Sequence, residues 1–397
     1  MSQIGIGQDF GVRAEATTKS VETAAGTDRF LAIEVLRFLC AFGVLCWHFK
    51  YFYYVGSNPV AWVPTEQPLY GMFSVFYDFG NKGVRVFWAI SGFIFAGVYT
   101  RKILDGRVSL HNFAVNRFSR LYPLHILTFA YIAVLQIVYL QQNGSHFVFP
   151  ASGLQNTILQ FFMATNWLPE MPITFNGPIW SVTVEIIVYL IFFLITRRIG
   201  NSLLLAFGLM CVNSLPHLLE LDWTVSDCAS YFYAGVAAFA CSEKIKKEIA
   251  NGNLLVFAKL PWALHLTALV ASLLLIYCWA GKDNLLLAAM FPLLIAASFD
   301  LKPPASVAMV IKNLGAITYS VYLIHFPLQL TTKVICALFG YNAPLDSPTV
   351  FIIFVAVTLI SALALYHWFE MPCQDLIRRK MFRSEAQKSP KFAASSG

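Results

Sequence analysis

RFLAIEVLRFLCAFGVLCWHFK, residues 29–50, is the stretch on which the fold turns. Its apolar run has the length that carries a helix across a hydrocarbon core about 30 Å thick. Three ionisable residues, Glu34, Arg37 and His48, lie inside it. A charge at the bilayer centre costs at least ~2.5–3.5 kcal/mol on insertion scales, so each needs a partner or a purpose. Glu34 and Arg37 stand at i and i+3 and are neighbours on one helical face, able to neutralise each other. Arg37 and His48 are eleven residues apart, almost three whole turns, so both point the same way about 16 Å apart along the axis. A buried guanidinium fits an anionic ligand group, and an imidazole fits proton transfer near neutral pH. A structural ion pair plus a hydrogen-bonded histidine fits the same spacing.

The rest of the chain repeats the membrane pattern. Of 397 residues, 58% are hydrophobic and 12% charged, too few charges to clothe a water-soluble surface. Apolar runs lie near 30–50, 83–99, 121–140, 178–196, 202–219, 228–241, 261–279, 284–299, 312–334 and 349–371. They predict an all-α, polytopic transmembrane bundle of about ten spans. The net charge of +7 is spread between apolar runs and forms no single basic stripe, which argues against nucleic acid. Topology accounts for it. With both termini cytoplasmic, Arg101, Lys102, Arg107, Arg117, Arg120, Arg197, Arg198, Lys244, Lys246, Lys247, Lys259, Lys302 and Lys312 fall inside. Lys50, Lys82, Lys282 and Lys333 fall outside. A further span at 155–168 would reverse Arg197, Arg198 and the 244–247 cluster, so 141–177 is expected to be an external segment with a re-entrant or interfacial helix. Residues 1–28 contain no signal-peptide core and are expected to be a disordered cytoplasmic segment. The transmembrane domain is placed at 29–374. A basic tail follows at 375–397, disordered from RRKMFRSEAQKSPKFAASSG onward (378–397). The cysteines show no C-x-x-C or metal-ligand spacing and read as packing residues.

Four further patches carry polar groups into apolar runs. AVNRFSRLYPLH (114–125) sets Arg117, Arg120 and His125 around the cytoplasmic end of a span, where basic anchors are ordinary. FNGPIWSVTVEIIVYL (175–190) places Glu185 inside a span after Trp180 and Ser181. AISGF (89–93) offers Ser91 and Gly92 for close helix approach. ITYSVYLIHFPL (317–328) puts Tyr319, Tyr322 and His325 along one stripe, which an aromatic interface belt would also explain.

Together these segments resemble the acyltransferase-3 family of membrane-bound acyltransferases, from about Arg29 to Pro372. The motifs stand in family order: Glu34-V-L-Arg37 and, ten residues on, His48; GNKGVRVFWAISGFIF (80–95); NRFSRLYPLH (116–125); NGPIWSVTVE (176–185); FYAGVAAF (232–239); LGAITYSVYLIHFPL (314–328); YHWFEMP (366–372). The acid before the arginine, commonly Asp in the family, is Glu34 here. The resemblance implies transfer of an acetyl or similar acyl group from cytoplasmic acyl-CoA, a co-substrate and not a bound cofactor. The acceptor it implies is a hydroxyl of a cell-envelope glycan or lipid-linked saccharide, in a bacterial inner membrane and beside glycan-assembly proteins. An appended extracytoplasmic hydrolase-like domain is not expected.

The roles expected on that basis follow general chemistry. His48 is the base for the acceptor hydroxyl or, alternatively, a transient acyl carrier. Arg117 and Arg120 hold the donor's phosphates. Arg37, fixed by Glu34, receives the acyl arm or steadies the oxyanion. Glu185 orients His48, binds sugar hydroxyls or is a buried structural pair. Trp180, Ser181, Tyr319, Tyr322 and His325 line the substrate path, and no metal is expected. A saccharide transporter or flippase is the competing reading, against which stands the absence of two related halves.

Overall fold

The computed structural model describes residues 31–60, 62–221, 223–252, 262–279, 290–298 and 302–388. The expected disordered segment 1–28, the tail end 389–397, Lys259, Lys282 and residues 284–289 of one expected span lie outside these. The described residues form a helical bundle: α1 (Leu31–His48), α2 (Tyr70–Phe79), α3 (Lys82–Leu104), α4 (Leu110–Asn143), α5 (Leu154–Phe161), α6 (Trp180–Ile199), α7 (Leu203–Leu218) and α8 (Thr224–Ala250). After these come α9 (Trp262–Trp279), α10 (Met290–Ser298), α11 (Ala305–Ala316), α12 (Thr318–Leu338), α13 (Pro348–Leu365) and α14 (Met371–Lys388). One two-residue hairpin, Tyr54–Val55 against Asn58–Pro59, follows α1.

Among the described residues, six helical stretches are long and apolar enough to cross a bilayer: Leu31–Tyr53, Lys82–Leu104, Leu110–Asn143, Gly177–Ile199, Thr318–Leu338 and Pro348–Phe382. Shorter apolar helices accompany them at Leu203–His217, Leu264–Leu275 and Ala305–Ala316. With many large apolar side chains facing outward, this is an integral, multi-pass membrane protein.

The centre of the bundle is the crossing of α3 and α8. A Cβ on Gly92 would overlap the Phe232 carbonyl, and one on Gly235 would overlap the Ala89 carbonyl, so the two backbones touch through glycine on both sides. Buried Trp88 joins α3 to α6 by donating to the Ser181 carbonyl at 3.1 Å.

Two expectations are corrected and one is extended. The run 312–334 is two helices, not one span: Gly315 lies against the Glu34 side chain, and Thr318 Oγ1 donates back to the Gly315 carbonyl at 2.8 Å where α12 begins. The helix that holds the expected span 121–140 starts at Leu110, capped by Ser109, so Arg117 and Arg120 lie within one continuous helix with it. The tail does not become disordered at Arg378. The last span runs through a π-helical turn at Tyr366–Glu370 into α14, with Glu370 and Gln374 buried. That turn precedes Pro372, which has no N–H to donate to the helix ladder.

The segment between α4 and α6 holds the eight-residue α5 and is pinned by buried polar bonds. Gln136 brackets Phe147, donating to its carbonyl and accepting from its N–H, both at 2.9 Å. His125 Nε2 bonds the Gln160 carbonyl at 2.8 Å.

Candidate active site

Proline in α12 explains how its polar stripe is held. Pro327 has no N–H, so the Leu323 carbonyl four residues earlier loses its helical donor. Asn176 supplies it, Nδ2 donating at 3.1 Å, and this ties the loop before α6 to α12 beside His325. α1 is tied to the same helix: Gln329 Nε2 donates to the His48 carbonyl at 2.8 Å.

Between these ties the rings of His48 and His325 meet edge to edge, centroids 4.9 Å apart at 12°, with His325 Nε2 2.8 Å from His48 Nδ1. Tyr51 stacks on the His48 ring at 5.0 Å. His325 Nδ1 lies 3.2 Å from the Val321 carbonyl, which can only accept. In the neutral pair this assigns the proton of His325 to Nδ1 and makes His48 Nδ1–H the donor to His325 Nε2. The lone pair of His48 is thereby placed on Nε2, which has no hydrogen-bond partner among the described residues.

A separate cavity of about 680 Å³ opens beside the first half of α1. Glu34, Arg37, Arg117, Arg120, Glu185, Lys312 and His367 line it, together with Ser181, Tyr319 and Tyr322. Arg37 Nη1 donates to Glu34 Oε2 at 2.9 Å. Arg120 Nη1 stands 3.0 Å from Glu370 Oε1, and Ser320 donates to Oε2 of the same fully buried carboxylate at 2.7 Å. Arg117 has no ion pair among the described residues; Nη2 donates to the Tyr99 hydroxyl at 3.0 Å, and the guanidinium lies over the rings of Phe95 and Tyr99. Three guanidiniums around one cavity set a positive field suited to an anionic ligand.

The two centres meet at Tyr322. Its hydroxyl bonds Ser181 Oγ at 2.7 Å on the cavity side, and its ring centroid lies 6.1 Å from that of His325. The stripe of Tyr319, Tyr322 and His325 is thus divided. Tyr319 donates to the Leu121 carbonyl at 2.6 Å and, with Tyr322, faces the cavity, while His325 faces His48. Arg37 and His48, alike in helical phase, serve different compartments, because the cavity ends before α1 does.

Two expected contacts are not made. Glu185 does not bond His48; it accepts from Tyr189, one turn on along α6, and, at 3.5 Å, from Ser91 on the facing α3. Trp180 packs edge-on against Trp88 at 5.7 Å and does not line the cavity. The sequence reading passed over Glu370, Ser320, Tyr189, Lys312 and His367. Glu370 carried a usable signal, being a lone acid inside an apolar run. Among the described residues, no group of three or more His, Cys, Asp or Glu is placed to hold a metal ion.

Comparison with known proteins agrees with this architecture. Part of the chain is 30% identical over 116 residues to acyltransferase MdmB of Streptomyces mycarofaciens, covering 28% of this chain and 27% of that protein. Part is 33% identical over 119 residues to protein 2 in the picA locus of Rhizobium radiobacter, covering 26% of this chain and 60% of that protein. Less than two thirds of either relative's length is matched. No solved structure matches. The acyltransferase domain that defines the acyltransferase-3 family matches residues 30–367, nearly the whole described bundle, and the chain belongs to that family of membrane acyltransferases.

Proposed function

We propose that this acyltransferase moves an acetyl or similar short acyl group from cytoplasmic acyl-CoA to a hydroxyl of an envelope or exported glycan, with both termini on the cytoplasmic side of a bacterial inner membrane. The observation that carries the reading is the juxtaposition of two unlike sites. A guanidinium-lined cavity includes Ser181 and Tyr322 in its wall, and His325, paired with His48, lies one helical turn on from Tyr322. Coenzyme A is a polyanion with a neutral arm, so its phosphates suit Arg117 and Arg120 and its thioester end suits the hydroxyls of Ser181 and Tyr322. Arg37, held by Glu34, faces the middle of that path.

The step balances as follows. His48 Nε2 takes the proton of the acceptor hydroxyl as its oxygen bonds the thioester carbonyl carbon. Of the bonded hydroxyls of Ser181 and Tyr322, the one that accepts from the other donates its own proton to the oxyanion as it develops. The tetrahedral intermediate collapses, the carbon–sulfur bond breaks, and the thiolate leaves with the proton from His48. His48 Nδ1–H, bonded to His325, keeps the ring in the basic tautomer throughout. The acceptor enters at the far end of α1, where Lys50 sits 3.3 Å from the Trp47 ring centroid, with Tyr51 and Tyr54 beyond. Aromatic faces of this kind pack on the C–H surface of a sugar ring.

The test expresses wild type, His48→Ala and Arg37→Ala at equal levels in membranes, and follows labelled acetyl from acetyl-CoA into glycans of the native host. Labelling by wild type alone is the expected result. Donor untouched by wild type, with a saccharide crossing the bilayer in its presence, would replace the enzyme reading with a transporter.

A further inference from the structure

One face of α3 runs along the arginine cavity. Val84, Phe87, Trp88, Ser91, Ile94 and Phe95 line it, and their spacing of three and four sets them in one stripe. Arg117 stands at one part of the stripe, its guanidinium carbon 5.1 Å from the Phe95 ring centroid. Tyr322 stands at another, its ring centroid 6.3 Å from that of Phe87. Eight residues separate Phe87 from Phe95, about 12 Å of helix. Trp88 holds the stripe against α6, donating to the Ser181 carbonyl at 3.1 Å.

Past the level of Tyr322 little of the cavity remains. Its lining takes no residue of α1 after Arg37, of α3 before Val84, of α6 before Ser181 or of α12 after Tyr322. Arg37, the charged one of these four, is bonded back to Glu34 one turn earlier. Val84 stands one turn before Phe87, about 4.5 Å along the axis. Val84 is buried and Phe87 half-buried, and both present carbon alone to the cavity, beside the bonded hydroxyls of Ser181 and Tyr322.

We infer that Val84 and Phe87 wall the pocket for the acyl chain and set its length, admitting a short straight chain and rejecting a long one. This rests on the acyl-CoA reading above and adds to it the residues that select the acyl group. With the thioester carbonyl at the Ser181 and Tyr322 hydroxyls, the chain has the single turn of α3 from Phe87 to Val84 to occupy. Methylenes that fit there gain by burial against carbon. A longer chain must displace packed side chains, which costs more than its burial returns.

The experiment uses the full chain in membranes of the native host and measures thiol release from acetyl-, butyryl- and octanoyl-CoA, with His48→Ala membranes as the blank. Wild type is expected to use acetyl-CoA and to reject octanoyl-CoA. In Phe87→Ala the ratio of kcat/KM for butyryl- over acetyl-CoA should rise roughly tenfold or more, the usual worth of a methylene in an apolar pocket. Val84→Ala, the milder change, should raise the ratio too, and it carries the test if Phe87→Ala releases no thiol. Ile94→Ala, on the same stripe but two turns from Phe87, should keep the wild-type ratio. Each ratio is taken within one preparation, so a loss of folded protein cancels from it. If Phe87→Ala and Val84→Ala both keep the wild-type ratio, the assignment is wrong and the donor reading survives. If wild type takes octanoyl-CoA as readily as acetyl-CoA, the pocket does not measure length and the inference is overturned. If wild type releases thiol from none of the three, the donor reading fails and the inference with it.

Discussion

Replacing His325 with Ala removes the one acceptor that fixes the tautomer of His48, and its cost can be worked from the geometry. The bond between His48 Nδ1 and His325 Nε2 is 2.8 Å long and buried. In the resting enzyme it is a neutral hydrogen bond. When His48 takes the acceptor's proton it becomes an imidazolium, and the same bond becomes charge-assisted, worth about 1.5–3 kcal/mol. The bond is therefore stronger in the transition state than in the ground state, and its loss falls on kcat. The neutral bond is already worth about 0.5–1.5 kcal/mol, so the difference is about 1–1.5 kcal/mol, and at about 1.36 kcal/mol per decade kcat should drop roughly 5- to 13-fold. The donor KM should stay near wild type, because His325 does not line the arginine cavity. Purified protein assayed for thiol release at saturating acyl-CoA and varied acceptor would give both constants. His48→Ala should lose about 10²–10⁴ in kcat, the usual worth of a general base. The double variant should be no slower than His48→Ala, since His325 acts only through that ring. A double variant slower by the product of the two single factors would refute the pairing, as would wild-type kcat in His325→Ala.

Two further outcomes follow from the packing. Gly92→Ala sets a methyl group against the Phe232 carbonyl at the α3–α8 crossing and should cost about 1–3 kcal/mol as overpacking, read as a lower midpoint in thermal unfolding, whereas Gly208→Ala, which meets open space, should not. Asn176→Ala orphans the Leu323 carbonyl opposite Pro327 and should cost about 1–3 kcal/mol. Because His325 lies two residues on, that variant should also lower kcat; loss of stability with kcat intact would show that the tie does not position the histidine.

How much was legible in the sequence differs by residue. Local chemistry was: an apolar run of bilayer length spans, and Glu34 three residues before Arg37 shares its face, and the structure pairs them at 2.9 Å. Arg117 and Arg120 were legible as cations and not as cavity residues, because their setting depends on α4 continuing back to Ser109. The break at Ile317 left no trace in hydropathy, since both of its sides are apolar and it arises from Glu34 packing on Gly315.

The sequence by itself determined the membrane class, the family and the presence of costly ionisable groups inside apolar helices, because length, hydropathy and residue order are properties of the chain. Helical phase, too, could be read along one element, as for Arg37 and His48. Which groups meet across elements was decided only by tertiary structure. His48 and His325 are 277 residues apart in sequence, and Arg120 pairs with Glu370 across a π turn that no periodicity announces. Contacts of that kind depend on how the helices lie against one another, and hydrophobic burial, which has no direction, leaves that to glycine crossings, proline breaks and the buried bonds that answer them.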